Sequence, residues 1–192
     1  VGVDYPKSVF SNGARYDREG GAETPDTQLS VFEFDDLMMT FEMTLNTPYM
    51  LKADHGIRDG DMFPHWPQNA ERVEIYGSEA MMVVGRMGSG WQVYIRPKTR
   101  HPVVRDEMYG RFPDAPHQQN FVDCVRTRKT PNADIEAGHL STLLVHYATI
   151  SYRLGGEKLM INSETEGING NDQAQGMLTR TYRSPWIVEK EV

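Results

Sequence analysis

The sequence predicts an α+β domain: a largely antiparallel open sheet of about six strands with helices packed on one face. Strand-period runs joined by short links fill the first half, and helix-period apolar stripes fill the second. The 192 residues, 39% apolar and 24% charged, have the size of one globular domain that buries roughly 70% of its unfolded surface. In Lys7–Tyr16, Val9 alternates with polar neighbours ahead of Asn12-Gly13. Gln28–Asp35 is rich in β-branched and aromatic residues. Asp35-Asp36 turns it into Met38–Leu45, where Met39, Phe41, Met43 and Leu45 share one face and Thr40, Glu42 and Thr44 the other. That pattern is a hairpin with one buried face. Arg72–Tyr76, Met81–Val84 and Trp91–Ile95 continue as an antiparallel meander across Gly77-Ser78-Glu79 and Gly85–Gly90.

Asn46–Ala70, with His55, His65 and Trp66, has no period. Its length marks either a lid, binding loop or partner contact, or a plain surface insertion.

The helices follow. Pro116–Lys129 places Phe121, Val122 and Val125 on one side, opens with Asp114 and Pro116 and stops at Thr130-Pro131. Asp134–Leu154 carries Leu140, Leu143, Leu144, Tyr147, Ala148, Ser151 and Leu154 as one stripe, which must pack on the buried face of the sheet. Gly155-Gly156 ends it, Lys158–Ile161 adds an edge strand, and Asn171 caps a short helix through Leu178.

Twenty Lys+Arg against 27 Asp+Glu give a formal charge of −7, which disfavours nucleic acid as a partner. No apolar run approaches the ~20 residues that span a bilayer. One cysteine, Cys124, rules out a disulfide framework within the chain. A dinucleotide site would need G-x-G-x-x-G between a strand and a helix, so that the backbone approaches the pyrophosphate. Gly88-Ser89-Gly90 has Val93 in place of the third glycine and leads into a strand. No P-loop, zincin or serine-hydrolase signature occurs either.

His139 and His146, seven apart on one helix, stand roughly 10 Å apart, too far to share a metal, and read as structural histidines. Gly138, in the first turn, suggests close approach of another backbone or a ligand. His117 begins its helix one turn before Phe121, so it is expected to face the domain interior from a helix end. There an imidazole can serve a pocket or bond to a neighbouring loop. Arg96, Lys98, Arg100 and Arg105 form a basic stretch, either a solvated loop or a contact for an acidic partner or anionic group.

Several strings together resemble one bacterial branch of the Gfo/Idh/MocA oxidoreductases. They are Gly13-Ala14-Arg15-Tyr16, Glu23-Thr24-Pro25-Asp26-Thr27-Gln28, Arg72-Val73-Glu74-Ile75-Tyr76-Gly77, His117-x-x-Asn120-Phe121-x-Asp123-Cys124-Val125-Arg126, Pro131-Asn132-Ala133-Asp134, Gly138-His139, and the closing Leu178-Thr179-Arg180-x-Tyr182-Arg183-x-Pro185-Trp186. The family is named for glucose–fructose oxidoreductase, inositol dehydrogenase and a rhizopine-catabolism protein.

The resemblance implies a two-domain parent, whose N-terminal Rossmann domain binds NAD or NADP and whose C-terminal α+β domain closes the substrate pocket. This chain, 1–192, resembles only the second domain. The family's Glu-Lys-Pro lysine has no counterpart, since Glu157-Lys158 is followed by Leu159 and Glu189-Lys190 by Glu191. The Asp-x-x-x-His catalytic pair of relatives lies just before a segment like Gly2-Val3-Asp4-Tyr5-Pro6. No cofactor contact and no catalytic residue is therefore expected in this chain.

The expected role is a substrate-side and assembly domain of a sugar or polyol dehydrogenase, with a sugar-like small molecule as ligand and homo-oligomerisation through the open sheet face, as in relatives. Met38–Met43 and Met81-Met82 suit such an adaptable contact. His117, then Tyr16 and Arg15, are the expected substrate-facing residues. Alternation sends Tyr16 and Arg15 to opposite faces. The alternative is a stand-alone carbohydrate-binding or scaffolding module, for which Trp91, Tyr94 and Tyr76 would supply an aromatic platform, although alternation separates Trp91 from Tyr94. Members of this branch often carry twin-arginine export signals, so a cytoplasmic and a periplasmic parent are both compatible.

Overall fold

The structure, a computed structural model, describes residues 5–16, 23–46, 71–85, 90–96, 101–109 and 114–187. Residues 47–70, and Lys98 and Arg100 of the basic stretch, lie outside them. The chain forms two compact units, one from Val1–Asn46 with Ala133–Val192 and the other from Thr47–Asn132.

The first unit holds a five-stranded antiparallel sheet in the order β3-β2-β1-β8-β9. Its strands are β1 (Ser8–Ala14), β2 (Thr27–Glu33), β3 (Met38–Thr44), β8 (Leu159–Asn162) and β9 (Gly167–Asn169). The register Val9↔Phe32↔Met39 puts these three on one face. Against that face packs α2 (Ile135–Arg153), whose stripe buries Tyr147, Ala148, Ile150 and Ser151. Leu159, Ile161, Ile168 and Ala174 complete the core. Burying each large apolar side chain there contributes about 1.5–3 kcal/mol.

Local chemistry sets the element ends. Asp134 caps α2 by accepting the Ala137 N–H at 2.7 Å. At its other end Gly155 and Gly156 take φ of 75° and 86°, the left-handed stop that glycine adopts without steric cost. Asn171 caps α3 (Asp172–Gly176) through the Ala174 N–H.

The second unit holds the meander β4 (Val73–Tyr76), β5 (Ala80–Val84), β6 (Gly90–Ile95) and β7 (Val103–Tyr109), and α1 (Asp114–Thr127). Arg128, at φ 59°, follows α1 and donates its N–H to the Cys124 carbonyl.

The α+β class and the antiparallel pairing are as the sequence predicts, but the strands divide between two sheets. Three local readings change. Lys158–Ile161 corresponds to an internal strand, because the short β9 pairs beyond it. Val103–Tyr109 is a strand whose period is broken: Val93 pairs with Asp106 and Tyr94 with Val104, leaving Arg105 as a bulge. On β3 the expected buried face holds only in part. Met39 packs on the core, whereas Phe41 and Leu45 stay 52% and 54% exposed. The row of Phe41 continues into Ser30 and Ser11, Leu45 lies just past the strand, and β3 is one edge of the sheet.

Candidate functional site

The residues expected to face substrate fall on different units. Arg15 and Tyr16 follow β1 in the first unit, and His117 stands in the first turn of α1 in the second. The Tyr16 N–H donates to Asp26 Oδ2 at 2.9 Å. Asp26, 2% exposed, also donates its own N–H to the Ala14 carbonyl and accepts the Leu45 N–H on its carbonyl. One buried aspartate thus ties the end of β1 to the end of β3 and fixes the backbone from which Arg15 and Tyr16 project. The Tyr16 side chain is largely exposed. In the sequence Asp26 is marked only as an acid next to Pro25 and directly before a strand.

His117 is exposed rather than turned inward, and no residue of α1 is buried. Phe121, Val122 and Val125, expected to face a core, are 61%, 40% and 50% exposed. The turn after α1 is folded back on it by the Asn132 N–H, which donates to Asn120 Oδ1 at 2.9 Å. Both residues belong to strings that carry the family resemblance, and this contact gives them a structural reason.

A cluster of titratable side chains around Glu166 is not visible in the sequence pattern. His139 Nε2 lies 2.8 and 2.9 Å from the two carboxylate oxygens of Glu166. A carboxylate only accepts, so Nε2 carries the hydrogen. The Tyr5 hydroxyl donates to Glu166 Oε1 at 2.9 Å, and the Tyr147 hydroxyl donates to the Glu166 carbonyl at 2.9 Å. Glu166 itself sits at φ 56°, a conformation that costs a non-glycine residue and persists because its surroundings hold it. Burial works to raise the Glu166 carboxyl, but the hydrogen bonds from His139 and Tyr5, with the imidazole charge, outweigh it and hold the carboxyl below its usual value. Burial, with the charges of Glu166 and Tyr5, pushes the Tyr147 hydroxyl up to about 12. The arrangement fixes the imidazole and joins the N-terminal part of α2, the turn before β9 and the segment entering β1. His139 is thus held in place, as expected of a structural histidine, but by a partner that the sequence pattern did not show.

Gly138 was expected to mark a close approach, yet nothing among the described residues lies within 4 Å of the position its Cβ would take. In the second unit a cavity of about 340 Å³ is walled by Met81, Tyr94, Ile95 and Pro102, with Glu79 and Arg96 also lining it. Tyr76 and Tyr94 share a row through Met81, while Trp91 stands on the other face. No group of three or more His, Cys, Asp and Glu among the described residues is disposed to hold a metal ion.

Comparison with known proteins matches residues 76–188, more than half of the chain, to the C-terminal α/β domain of the Gfo/Idh/MocA oxidoreductases. No curated protein matches. Among solved structures, the chain is similar to YvaA of Bacillus subtilis, assigned as an oxidoreductase, at 14% identity and a TM-score of 0.52, covering 82% of this chain and 47% of that one. An assigned oxidoreductase from Klebsiella pneumoniae gives 14% identity and 0.50, covering 91% and 47%. The WlbA dehydrogenase of Bordetella pertussis, solved with NADH and UDP-GlcNAcA, gives 18% identity and 0.44, covering 82% and 39%. At these identities the likeness is one of fold. The chain spans less than half the length of each of these three solved proteins.

Proposed function

This chain belongs to the Gfo/Idh/MocA oxidoreductase family, as its C-terminal α/β domain, and we propose that it is the substrate-side and assembly part of an NAD(P)-dependent sugar or polyol oxidoreductase. The observation that carries the reading is the family match over residues 76–188. In this reading the nicotinamide cofactor is bound by a separate Rossmann domain, which also supplies the hydride-transfer and acid–base groups. This domain contributes pocket walls, with His117 as the first side chain proposed to meet the sugar; Tyr16 or Arg15 is the next candidate, and the two do not serve one pocket, since alternation sends them to opposite faces.

Assembly would use the face of the five-stranded sheet opposite α2. The pairings place Met38 and Met160 in one row of that face, Phe10 and Val31 in the next, and Leu29 in the third. Phe10, Leu29, Met160 and Met38 are 36%, 42%, 48% and 67% exposed. Ser8 and Glu33 stand in the first row, Thr40 in the second and Asn12 and Glu42 in the third, so the face mixes polar groups with exposed apolar side chains that would suit a subunit contact.

The test is titration of the isolated chain and of the longer protein with NADH, followed by intrinsic fluorescence and by turnover of sugar substrates. The expected result is saturable binding and activity only in the longer protein. Saturable quenching of the isolated chain, competed by NAD, would overturn the division of labour. The cavity beside Tyr94 favours one second reading, a carbohydrate-binding module without enzymatic activity. Sugar binding by the isolated chain, abolished by Tyr94→Ala, would establish it.

A further inference from the structure

We propose that Asn169-Gly170 is a site of spontaneous modification, where the folded chain deamidates through a cyclic imide. The sequence holds two Asn-Gly pairs among the described residues, and the fold treats them oppositely. Asn169 is the last residue of β9, one of the two edge strands of its sheet, and both Asn169 and Gly170 are exposed. Gly170 has φ of 74°, and nothing among the described residues lies within 4 Å of where a Cβ would stand. The peptide there is bordered by open space and by the one residue type with a wide choice of backbone angles.

Asn12-Gly13 lies inside β1, with Gly13 in register with Gln28 on β2. A Cβ on Gly13 would lie 2.5 Å from the Thr27 carbonyl oxygen, and its N–H is directed at the Asn12 side-chain oxygen, 2.8 Å away. That peptide is held within the β1–β2 ladder, with its N–H in the plane of a hydrogen bond to the side-chain oxygen, so the backbone rotation that brings the nitrogen onto the face of Asn12 Cγ is opposed.

The chemistry needs only water and a solvent base. The base takes the proton from the Gly170 nitrogen, which attacks Asn169 Cγ. The new N–Cγ bond closes a five-membered imide as the Cγ–NH₂ bond breaks, and the departing nitrogen takes a proton from solvent and leaves as ammonia. Water then opens either carbonyl, giving aspartate or isoaspartate. The isoaspartate form inserts a methylene into the backbone immediately before Gly170, one residue ahead of Asn171. That residue caps α3 by accepting the Ala174 N–H at 2.8 Å, and it donates to Glu157 Oε1 at 2.8 Å. The product also adds a carboxylate three residues from Asp172. Ageing at this site would therefore loosen the α3 cap.

The experiment ages the full chain in warm, mildly alkaline buffer, folded and in denaturant, and follows both peptides by mass spectrometry, separating aspartate from isoaspartate by elution. In the folded chain the Asn169 peptide is expected to convert about tenfold or more faster than the Asn12 peptide. In denaturant the two rates should converge. Asn169→Gln, whose attack would need a larger ring, should remain unmodified at that position while its circular dichroism matches the parent chain. Equal rates in the folded chain, or faster conversion at Asn12, would overturn the proposal. So would a folded ratio no different from that in denaturant.

Discussion

Ser151, on α2, accepts the backbone N–H of Ser11, on β1, at 2.8 Å, and its hydroxyl donates to the Glu157 carbonyl at 2.6 Å. Strand β8 pairs with β1 only at Ser8 and Val9, so beyond that point a helix side chain takes the place of the missing ladder partner. Both serines are 0% exposed. Ser151→Ala should leave the Ser11 N–H without a partner, at a cost of about 1–3 kcal/mol. Ser141→Ala, on an exposed part of the same helix, should stay within about 0.5 kcal/mol. Denaturant melts of the two variants check this, and equal stability would show that the Ser11 amide finds another partner.

The pairing of Glu166 with His139 and Tyr5 makes stability depend on acid pH. The folded carboxyl titrates below its usual value, so its contribution is fully present above the unfolded carboxylate range and is lost as pH falls through the lower, folded value. Glu166 is one-third exposed and His139 more so, which limits the pair to about 1 kcal/mol. Glu166→Gln should lower stability at neutral pH and flatten its decline in acid. Melting curves across that range provide the measurement, and an unchanged acid limb would remove Glu166 from the account.

Tyr147 is expected to resist ionisation up to about 12. Because its folded value is raised, the associated stability is complete below the ordinary tyrosine range and is lost as pH rises toward about 12. An ultraviolet titration of the folded chain should therefore show a late tyrosine that disappears in Tyr147→Phe, beside Tyr76, whose hydroxyl is also raised, by its hydrogen bond to Glu74. That variant should also lose about 1 kcal/mol, since the Glu166 carbonyl loses its donor.

Where local chemistry decides, the fold was readable in advance. Asn171 caps its helix, Gly155-Gly156 ends α2, and the hairpin turns where Asp35-Asp36 predicted. The misreadings came from context. β9 is three residues long, too short for a period. The bulge at Arg105 shifts the alternation of β7, so its charges read as loop. Glu166 lies 27 residues from His139, and nothing in a helical stripe reports a partner delivered by a distant turn. Gly138 looked like a contact because a helix-interior glycine is costly, yet the described residues leave the space beside it open.

That open space makes a direct prediction. Gly138→Ala should stabilise the chain by roughly 0.5–1 kcal/mol through reduced backbone entropy in the unfolded state and better helix propensity. A loss of stability, read from the melting temperature, would mean that the position is filled by a neighbour.

His117 carries the functional reading furthest. It stands in the first turn of α1 and is exposed, so the fold does not depend on burying it. A helix N-terminus offers unpaired N–H groups and a positive dipole end, and an imidazole beside them can hold a sugar hydroxyl. Within the longer oxidoreductase proposed above, His117→Ala should weaken substrate binding or slow turnover by about tenfold, the value of one well-placed hydrogen bond. Its melting temperature should remain almost unchanged, as for other exposed positions. If the histidine instead serves the fold, the variant will melt earlier while KM and kcat remain those of the parent, and Tyr16 and Arg15, set by Asp26 at the end of β1, become the next substitutions to make.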